Sequence, residues 1–438
     1  MLFPAMTQQK VKESPEQDPD GGWGWVLVAA LFVCNSLVFG LMRVFGVFFV
    51  EFVQHFGEST QAISWISSIG LAAQQFFSPL GAALGNAYGA RVVVMTGGFL
   101  AGLGLILASQ ATSLFHLYLS MGVLSGLGWG LIFTPMMATV MTHFTHRRTL
   151  ALGISMSSIG LSAFAFNPLF QLLIEIYAWR GALLISGALS FNIIPCGALI
   201  GPKQRSTHAE KVNSDNKESQ STLQKLSSHL ELPVLFERPF ITYVIAVSLL
   251  NVGYFVPYFH LVAHSRQVGF SEYQAAFVVS AAGCSDIVGR IASGWFSDLG
   301  HFRLIHLLVL WTTLTGLSIA MLPVSSLTGS YPALMVVSLL YGFCSGAITS
   351  VVFSVLPRIV GVGRVMGALG LLQMIESGAG LFGTPLSGFL RDVTGEYVAS
   401  FAVAGSFLLL GSLTLVTLPH FFSRTDPPSP PQKQLTEQ

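Results

Sequence analysis

Charged residues are scarce in this chain. Only 9% of its 438 residues are charged, whereas 52% are hydrophobic and the mean hydropathy is +0.66. A soluble globular domain usually carries about 25% charged residues, so the composition excludes an ordinary soluble fold and predicts a protein surrounded by a lipid bilayer. The net charge of +1 offers no bulk attraction to nucleic acid, and we expect no nucleic-acid partner.

Cysteine is also rare, and its distribution argues against a metal centre or a disulfide framework. The four cysteines are Cys34, Cys196, Cys284 and Cys344, which all fall in apolar stretches and form no CxxC pair. Such cysteines usually act as small hydrophobic side chains. The sequence also has no clustered His/Cys ligand set, no hydrolase elbow and no phosphate-binding loop. We therefore predict no metal, no cofactor and no enzymatic activity.

Long apolar runs make up most of the chain. Each has a length near the roughly 20 residues that a helix needs to cross the hydrocarbon core of a bilayer. The fold class predicted is an all-α membrane protein with twelve transmembrane helices. The predicted spans are 26–50, 63–84, 92–110, 114–140, 150–174, 181–201, 239–263, 273–296, 304–323, 331–356, 365–390 and 398–420.

Polar segments divide the spans into two groups of six. We predict an N-terminal six-helix half over 26–201, a cytoplasmic linker over 202–238 and a C-terminal six-helix half over 239–420, flanked by cytoplasmic segments 1–25 and 421–438. Most of the 21 basic residues fall in loops on the side of the termini and the linker. Because cytoplasmic loops are enriched in Lys and Arg, both termini are predicted to be cytoplasmic.

Glycines recur at similar positions in the two halves. Gly81 corresponds to Gly294, and Gly153 corresponds to Gly370 at a nearly equal separation. Two such matches indicate a parallel duplication of six helices, a pattern found in transporters whose halves move against each other.

Asp286 and Arg290 place opposite charges four residues apart in an otherwise uncharged span. At this spacing the two side chains share one face of a helix. Charges at membrane depth are costly and usually face a transport pathway or a partner. Two interpretations remain open, namely a role in the pathway and a structural ion pair that neutralises itself.

Two further charges lie inside predicted spans. Arg43 is near the outer end of the first span, where it could bind a ligand or extend to the interface. Glu376 lies in the eleventh span, where it could be protonated or hydrogen-bonded to Gln373. A structural role and a role in proton coupling are both open for Glu376.

Two motifs carry a family resemblance. The first, DGGWGW, occupies residues 20–25 before the first span, and the second, HFTHRRTLALG, occupies residues 143–153. An aromatic belt and a basic cytoplasmic anchor are the alternative interpretations. Together the motifs resemble the signatures of the monocarboxylate transporter family, within the major facilitator superfamily. The second departs from the family, which usually has Tyr and Lys where this chain has His143 and His146.

The resemblance extends from Asp20 to about His420 and implies roles for particular residues. Asp286 and Arg290 match the family's Asp-Arg pair in the eighth span. Arg43 stands where many members carry a Lys implicated in substrate binding, but an arginine cannot release a proton at physiological pH. Phe353 corresponds to an aromatic residue that shapes substrate size in relatives, with ordinary packing as the alternative.

The resemblance and the charges together predict proton-linked symport of small monocarboxylates. Arg43, Arg290 and ionised Asp286 in one cavity carry a net charge of +1, which a bound anion and a proton leave unchanged. Asp286 would accept the proton, Arg290 and Arg43 would bind the carboxylate, and Glu376 would assist proton coupling. Two alternatives are proton-independent facilitated transport of a zwitterion such as creatine, and a membrane scaffold or sensor that transports nothing.

The resemblance also suggests a partner and a location. Members of the family associate with a single-span glycoprotein chaperone, which we therefore consider as a partner of this chain. We expect residence in the plasma membrane, with a pool in the Golgi membrane as the alternative.

Overall fold

A computed structural model describes most of the chain, and helices make up nearly all of the part that it describes. The predicted linker up to residue 231, the predicted N-terminal segment up to Asp20 and the predicted C-terminal tail lie outside the described residues. The described ranges are 21–58, 60–201, 232–327 and 329–418.

The N-terminal half contains eight α-helices and one π-helical turn, Tyr118–Leu124, which joins two of them. The π-helical turn continues α5 into α6, so that the three form one long rod. The helices are α1 (Gly22–Phe56), α2 (Thr60–Phe76), α3 (Ser78–Tyr88), α4 (Ala90–Ser109), α5 (Leu114–Leu117), α6 (Ser125–His143), α7 (Arg148–Ser190) and α8 (Ile193–Ala198).

The C-terminal half begins with a short 3-10 turn at Leu232–Phe236 and contains seven α-helices among its described residues. A second 3-10 turn, Val362–Arg364, precedes the sixth of them. The helices are α9 (Arg238–Tyr254), α10 (Val256–Gln267), α11 (Glu272–Asp298), α12 (Leu304–Leu327), α13 (Tyr331–Val360), α14 (Val365–Thr394) and α15 (Val398–Thr417).

Each of the twelve predicted spans coincides with a helix or with consecutive helices. Nine helical segments of the described residues are long and apolar enough to cross a membrane. The predicted spans 63–84, 273–296 and 365–390 are also helical, but they are not among these nine segments. That these three cross the membrane remains a prediction.

Local backbone geometry interrupts one predicted span and separates two others. The second span is broken at Phe77, because Pro79 lies in the first turn of α3 and cannot donate a backbone hydrogen bond. The fifth predicted span lies in α7, whereas the sixth begins in α7 and continues into α8. The helix α7 changes direction at Ala178, between these two predicted spans. This residue has φ 55° and ψ 173°, a conformation that costs a residue with a Cβ some free energy.

The two sequence motifs contact each other. The rings of Trp25 and Phe144 meet edge to face, with centroids 5.3 Å apart. Gly24 leaves room for the ring of His143, because a Cβ at this position would lie 2.7 Å from His143 Cδ2. The two motifs therefore pack on each other and join the start of α1 to the end of α6.

The repeated glycines Gly153 and Gly370 lie at two contacts between the halves. On α7, Gly153 packs directly on the backbone of Arg290 in α11. On α14, Gly370 faces α3, where an added Cβ would lie 2.9 Å from the Cα of Pro79. Small residues allow helices in a membrane to approach closely. The internal duplication therefore places matching glycines at matching interfaces.

A carboxylate joins the halves at the start of α7. The two oxygens of Asp298, the last residue of α11, accept hydrogen bonds from the backbone N–H groups of Thr149 (3.1 Å) and Leu150 (2.7 Å). These N–H groups belong to the first turn of α7 and have no partner within that helix. Asp298 therefore acts as an N-terminal cap that is supplied by the opposite half.

We predict that Gly24→Val destabilises the protein, whereas Gly22→Val does not. A side chain at position 24 would collide with His143 and Phe144, and overpacking of this kind costs about 1–3 kcal/mol. A side chain at position 22 would meet nothing within 4 Å. Thermal denaturation of the two detergent-solubilised variants measures the difference, and equal melting temperatures would contradict this account of the motif.

Candidate functional site

Asp286 and Arg290 form a two-pronged ion pair on α11. Arg290 Nε donates to Asp286 Oδ2 at 2.8 Å, and Nη2 donates to Oδ1 at 3.3 Å. The two side chains are only 4–5% exposed. Bidentate pairs of this kind combine charge attraction with fixed geometry, so the pair holds both side chains in one orientation.

Two hydroxyl groups complete the environment of the Asp286 carboxylate. Tyr258 on α10 and Ser345 on α13 lie within hydrogen-bonding distance of Oδ1, each at 3.3 Å. The two hydroxyl oxygens are also 3.2 Å apart. Three helices of the C-terminal half therefore converge on one negative charge.

The guanidinium of Arg290 also reaches the N-terminal half. Its Nη1 donates to the carbonyl oxygen of Met156 on α7 at 3.0 Å. Next to this contact, Ser350 donates to the carbonyl oxygen of Arg290 at 2.8 Å. A single side chain therefore bonds to a carboxylate in its own half and to a carbonyl in the other half.

Very close packing of α11 against α13 supports the pair. Gly342 lies on the carbonyl of Ala282, and Gly346 lies on the carbonyl of Asp286, so a side chain at either glycine would collide with backbone. Such contacts between small residues let helix backbones almost touch. The backbone that carries Asp286 is thereby fixed relative to the helix that carries Ser345.

Arg43 reaches the pair from α1 through an aromatic ring. Its guanidinium carbon lies 5.9 Å from the centroid of the Tyr258 ring, within the range of a cation–π contact. Arg43 is exposed, Tyr258 is half-buried, and Asp286 and Arg290 are buried beneath them. Tyr258 therefore contacts Arg43 through its ring and Asp286 through its hydroxyl group.

Phe353 belongs to a row of aromatic rings that crosses between the halves. Its ring centroid is 6.1 Å from that of Phe133, which in turn is 5.6 Å from that of Phe39. Phe39 and Phe133 belong to the N-terminal half, whereas Phe353 lies on α13, two turns after Ser345. The row therefore forms an apolar contact on the same helix as one of the polar site residues.

Glu376 lies on α14, apart from the ion pair. Its residue is 6% exposed, and the neighbouring Gln373 is 5% exposed. Within the described residues no hydrogen bond links Glu376 to Asp286. The structure thus brings Arg43, Asp286 and Arg290 into one neighbourhood, whereas Glu376 occupies a second polar position in the same half.

Sequence reasoning missed three participants in this site, Tyr258, Ser345 and the carbonyl of Met156. A signal for Tyr258 was present in the sequence, because Tyr254 precedes it by four residues within the same predicted span. The spacing of Gly342 and Gly346 around Ser345 was a second signal of close helix approach. No sequence pattern marks a backbone carbonyl as a partner.

Comparisons with known proteins agree with this architecture. The chain matches the Major Facilitator Superfamily over residues 31–329 and 307–438. Among solved structures, it resembles the transporter FucP in its outward conformation, with a TM-score of 0.67, 16% identity and coverage of 89% of this chain and 98% of that chain. A second similar structure is the proton:xylose symporter XylE bound to 6-bromo-6-deoxy-D-glucose, with a TM-score of 0.67, 13% identity and coverage of 90% and 95%. At such low identity these structures show the fold alone.

Similarity to named proteins is much stronger. The chain is 52% identical to monocarboxylate transporter 13 of Bos taurus over 421 residues, which cover 96% of this chain and 95% of the relative. It is 41% identical to human monocarboxylate transporter 11, with coverage of 95% and 86%. It is 35% identical to mouse monocarboxylate transporter 12, with coverage of 94% and 89%.

These findings confirm the family resemblance drawn from the two motifs, and also the major facilitator fold. The relatives are named transporters over almost the whole length of the chain, and the structural neighbours are transporters of the same fold. The chain is therefore a multi-pass membrane transporter rather than an enzyme, and it belongs to the monocarboxylate transporter family of the major facilitator superfamily.

Proposed function

We propose that the protein carries small monocarboxylates together with a proton across the membrane by alternating access. The observation that carries this proposal is the buried Asp286–Arg290 pair, whose guanidinium bonds to both halves. A site that contains a buried acid and a buried base can bind a proton and an anion together without a change in its net charge. The names of the relatives support a monocarboxylate as the substrate.

Asp286 is the proposed proton acceptor. In its ionised form it holds Arg290 in two charge-assisted hydrogen bonds, which are about twice as strong as neutral ones. Protonation removes the charge and weakens both bonds, so the guanidinium fork becomes available to another carboxylate. The order of binding follows, with the proton first and the anion second.

Arg290 and Arg43 are the proposed binders of the substrate carboxylate. The guanidinium of Arg290 presents paired N–H donors that match the two oxygens of a carboxylate. Arg43, placed over the Tyr258 ring, adds a second positive charge on the exposed side of the pair. Phe353, packed on Phe133, would border the apolar part of a small substrate and limit its size.

Substrate binding is linked to motion through the contact with Met156. An anion that takes the guanidinium of Arg290 competes with the carbonyl of Met156 for the same donors. Loss of that hydrogen bond removes one connection between α7 and α11. Loading of the site therefore weakens the contact between the halves, which is the step that alternating access requires.

Glu376 is proposed as a second group in proton coupling. It is a buried carboxyl group on α14 and has no cationic partner among the residues that the structure describes. A carboxyl group at this position could bind and release a proton within the span. The helix α14 also packs against α3 of the opposite half, so a change in charge at Glu376 would affect an interface.

We also propose an orientation and a location for the protein in the membrane. At the end of the bundle where α1 begins, the described loops and helix ends carry Arg91, Arg147, Arg148, Arg358 and Arg364. This bias supports an arrangement with both termini cytoplasmic. A plasma-membrane location, with a Golgi pool as the alternative, and a single-span glycoprotein chaperone are what the family suggests.

We predict that Asp286→Asn abolishes proton-coupled uptake of lactate or pyruvate into proteoliposomes. An amide cannot accept the coupled proton, and we expect uptake to fall at least about tenfold and to lose its dependence on external pH. Glu175→Gln, the same change at an exposed glutamate, serves as the control. Normal, pH-dependent uptake by Asp286→Asn would refute the assignment.

Removal of one partner of a buried ion pair also destabilises a protein, by about 3–5 kcal/mol. The double variant Asp286→Asn/Arg290→Gln avoids the unpaired charge and separates stability from transport. We expect it to melt at a higher temperature than Asp286→Asn and still to transport nothing. Recovery of transport together with stability would show that the pair is purely structural.

The proton-independent alternative gives a different signal in the same vesicles. We predict that uptake of a monocarboxylate acidifies a pH-sensitive dye in the lumen, because one proton enters with each anion. Creatine uptake by the unmodified protein without acidification would favour facilitated transport of a zwitterion. Absence of flux for lactate, pyruvate, ketone bodies and creatine would favour a scaffold or sensor.

We predict that Arg43→Gln lowers kcat/KM for the monocarboxylate about tenfold or more, whereas Arg43→Lys keeps most of the activity. The glutamine removes the positive charge beside Tyr258, and hydrogen bonds to charged groups contribute about 1.5–3 kcal/mol. Arg180→Gln is the matched control, because Arg180 also stacks on an aromatic ring, Trp179, at 4.2 Å, but outside the site. Equal losses in the two glutamine variants would contradict a binding role.

A further inference from the structure

A polar cavity lies at the end of the bundle where α7 begins, separate from the site around Asp286. Its volume is about 180 Å³, many times the space that one water molecule needs. The N-terminal half contributes His146 and Arg148 to its lining, and the C-terminal half contributes Ser297, Asp298 and Arg358. The cavity is therefore shared by the two bodies that must move apart during transport.

The charges that line this cavity favour an anion. Arg148 and Arg358 are permanently positive, and His146 adds a further nitrogen donor. The one carboxylate in the lining, Asp298, is engaged by the backbone N–H groups of Thr149 and Leu150. Arg358 is exposed and has no carboxylate partner among the residues that the structure describes. The lining therefore has an excess of positive charge.

An unpartnered hydroxyl group independently indicates a ligand. The residue Ser297 is 4% exposed and lines the cavity, and its Oγ has no hydrogen-bond partner in the described part of the chain. Buried hydroxyl groups are almost always hydrogen-bonded, and exceptions require an explanation. A ligand oxygen in the cavity would satisfy this donor.

We propose that the cavity binds a phosphate group, supplied by inorganic phosphate or by the headgroup of an anionic phospholipid. A phosphate presents several oxygen acceptors, which suit two guanidinium groups and a hydroxyl donor. Because Arg148 and Arg358 belong to opposite halves, a bound phosphate favours the conformation in which the halves meet at this end. The site would therefore slow transport by holding this end closed, whichever substrate the protein carries.

Thermal stability tests the proposal on the full chain in nanodiscs. In discs of phosphatidylcholine we expect millimolar inorganic phosphate to raise the melting temperature above that in chloride of equal ionic strength, because a ligand that binds the folded state stabilises it. Discs with added phosphatidic acid test the lipid source. A shift with phosphate identifies a free anion, and a shift with phosphatidic acid alone identifies a headgroup.

Variants of the lining residues test whether the response to phosphate arises in this cavity. Arg358→Gln should weaken the phosphate response about tenfold, and Ser297→Ala should weaken it about threefold or more. Ser297→Ala is not expected to lower stability without the anion, since its hydroxyl has no protein partner to lose. Arg364→Gln is the control, because Arg364 lies at the same end but is paired with Glu237.

If neither phosphate nor phosphatidic acid shifts the melting temperature of the unmodified chain, the cavity is not a phosphate site. The same conclusion follows if Arg358→Gln, Ser297→Ala and Arg364→Gln all respond as the unmodified chain does.

Discussion

The ion pair between Asp286 and Arg290 is the interaction on which the arrangement of the helices depends. Two charges held almost entirely away from water are stable only while their geometry and remaining hydrogen bonds are satisfied. That requirement fixes α10 through Tyr258, α13 through Ser345 and the opposite half through the carbonyl of Met156. The positions of four helices are thus set by the needs of one pair of side chains.

The contacts between the halves reflect the internal duplication of the chain. Gly153 of α7 meets α11, and its counterpart Gly370 of α14 meets α3. At both places a glycine lets the backbones of the two halves come into direct contact. Among the described residues, Arg290 and Asp298 add hydrogen bonds between the halves at the interface of α7 with α11.

Much of the fold was predictable from the sequence, because a bilayer requires long apolar helices and leaves a strong signal. The break at Phe77 was also accessible, since Pro79 limits helix continuity. The conformation of Ala178 was not, because alanine carries no preference for positive φ and tertiary packing must impose it. The kink nevertheless falls between the predicted fifth and sixth spans.

The charged residues of the site were predictable from the sequence, whereas the residues that other helices contribute were not. The charges at Asp286 and Arg290 were conspicuous because charge is rare in an apolar span, and their spacing alone implied a shared helix face. The contributions of Tyr258 and Ser345 depend on the meeting of α10, α11 and α13, which no local pattern encodes. The contact of Arg43 with the Tyr258 ring depends on tertiary packing for the same reason.

The glycine contacts of α11 and α13 have a consequence for how substrate preference can vary. The close contacts of Gly342 and Gly346 with the backbone of α11 hold α11 and α13 together. Asp286, Arg290 and Ser345 therefore keep their relative positions. The neighbouring Arg43 of α1, and the rings of Phe39 and Phe133 that continue the aromatic row from Phe353, come from the N-terminal half. Under the proposed function, substitutions in the helices of that half could change substrate preference while the arrangement of Asp286, Arg290 and Ser345 is preserved.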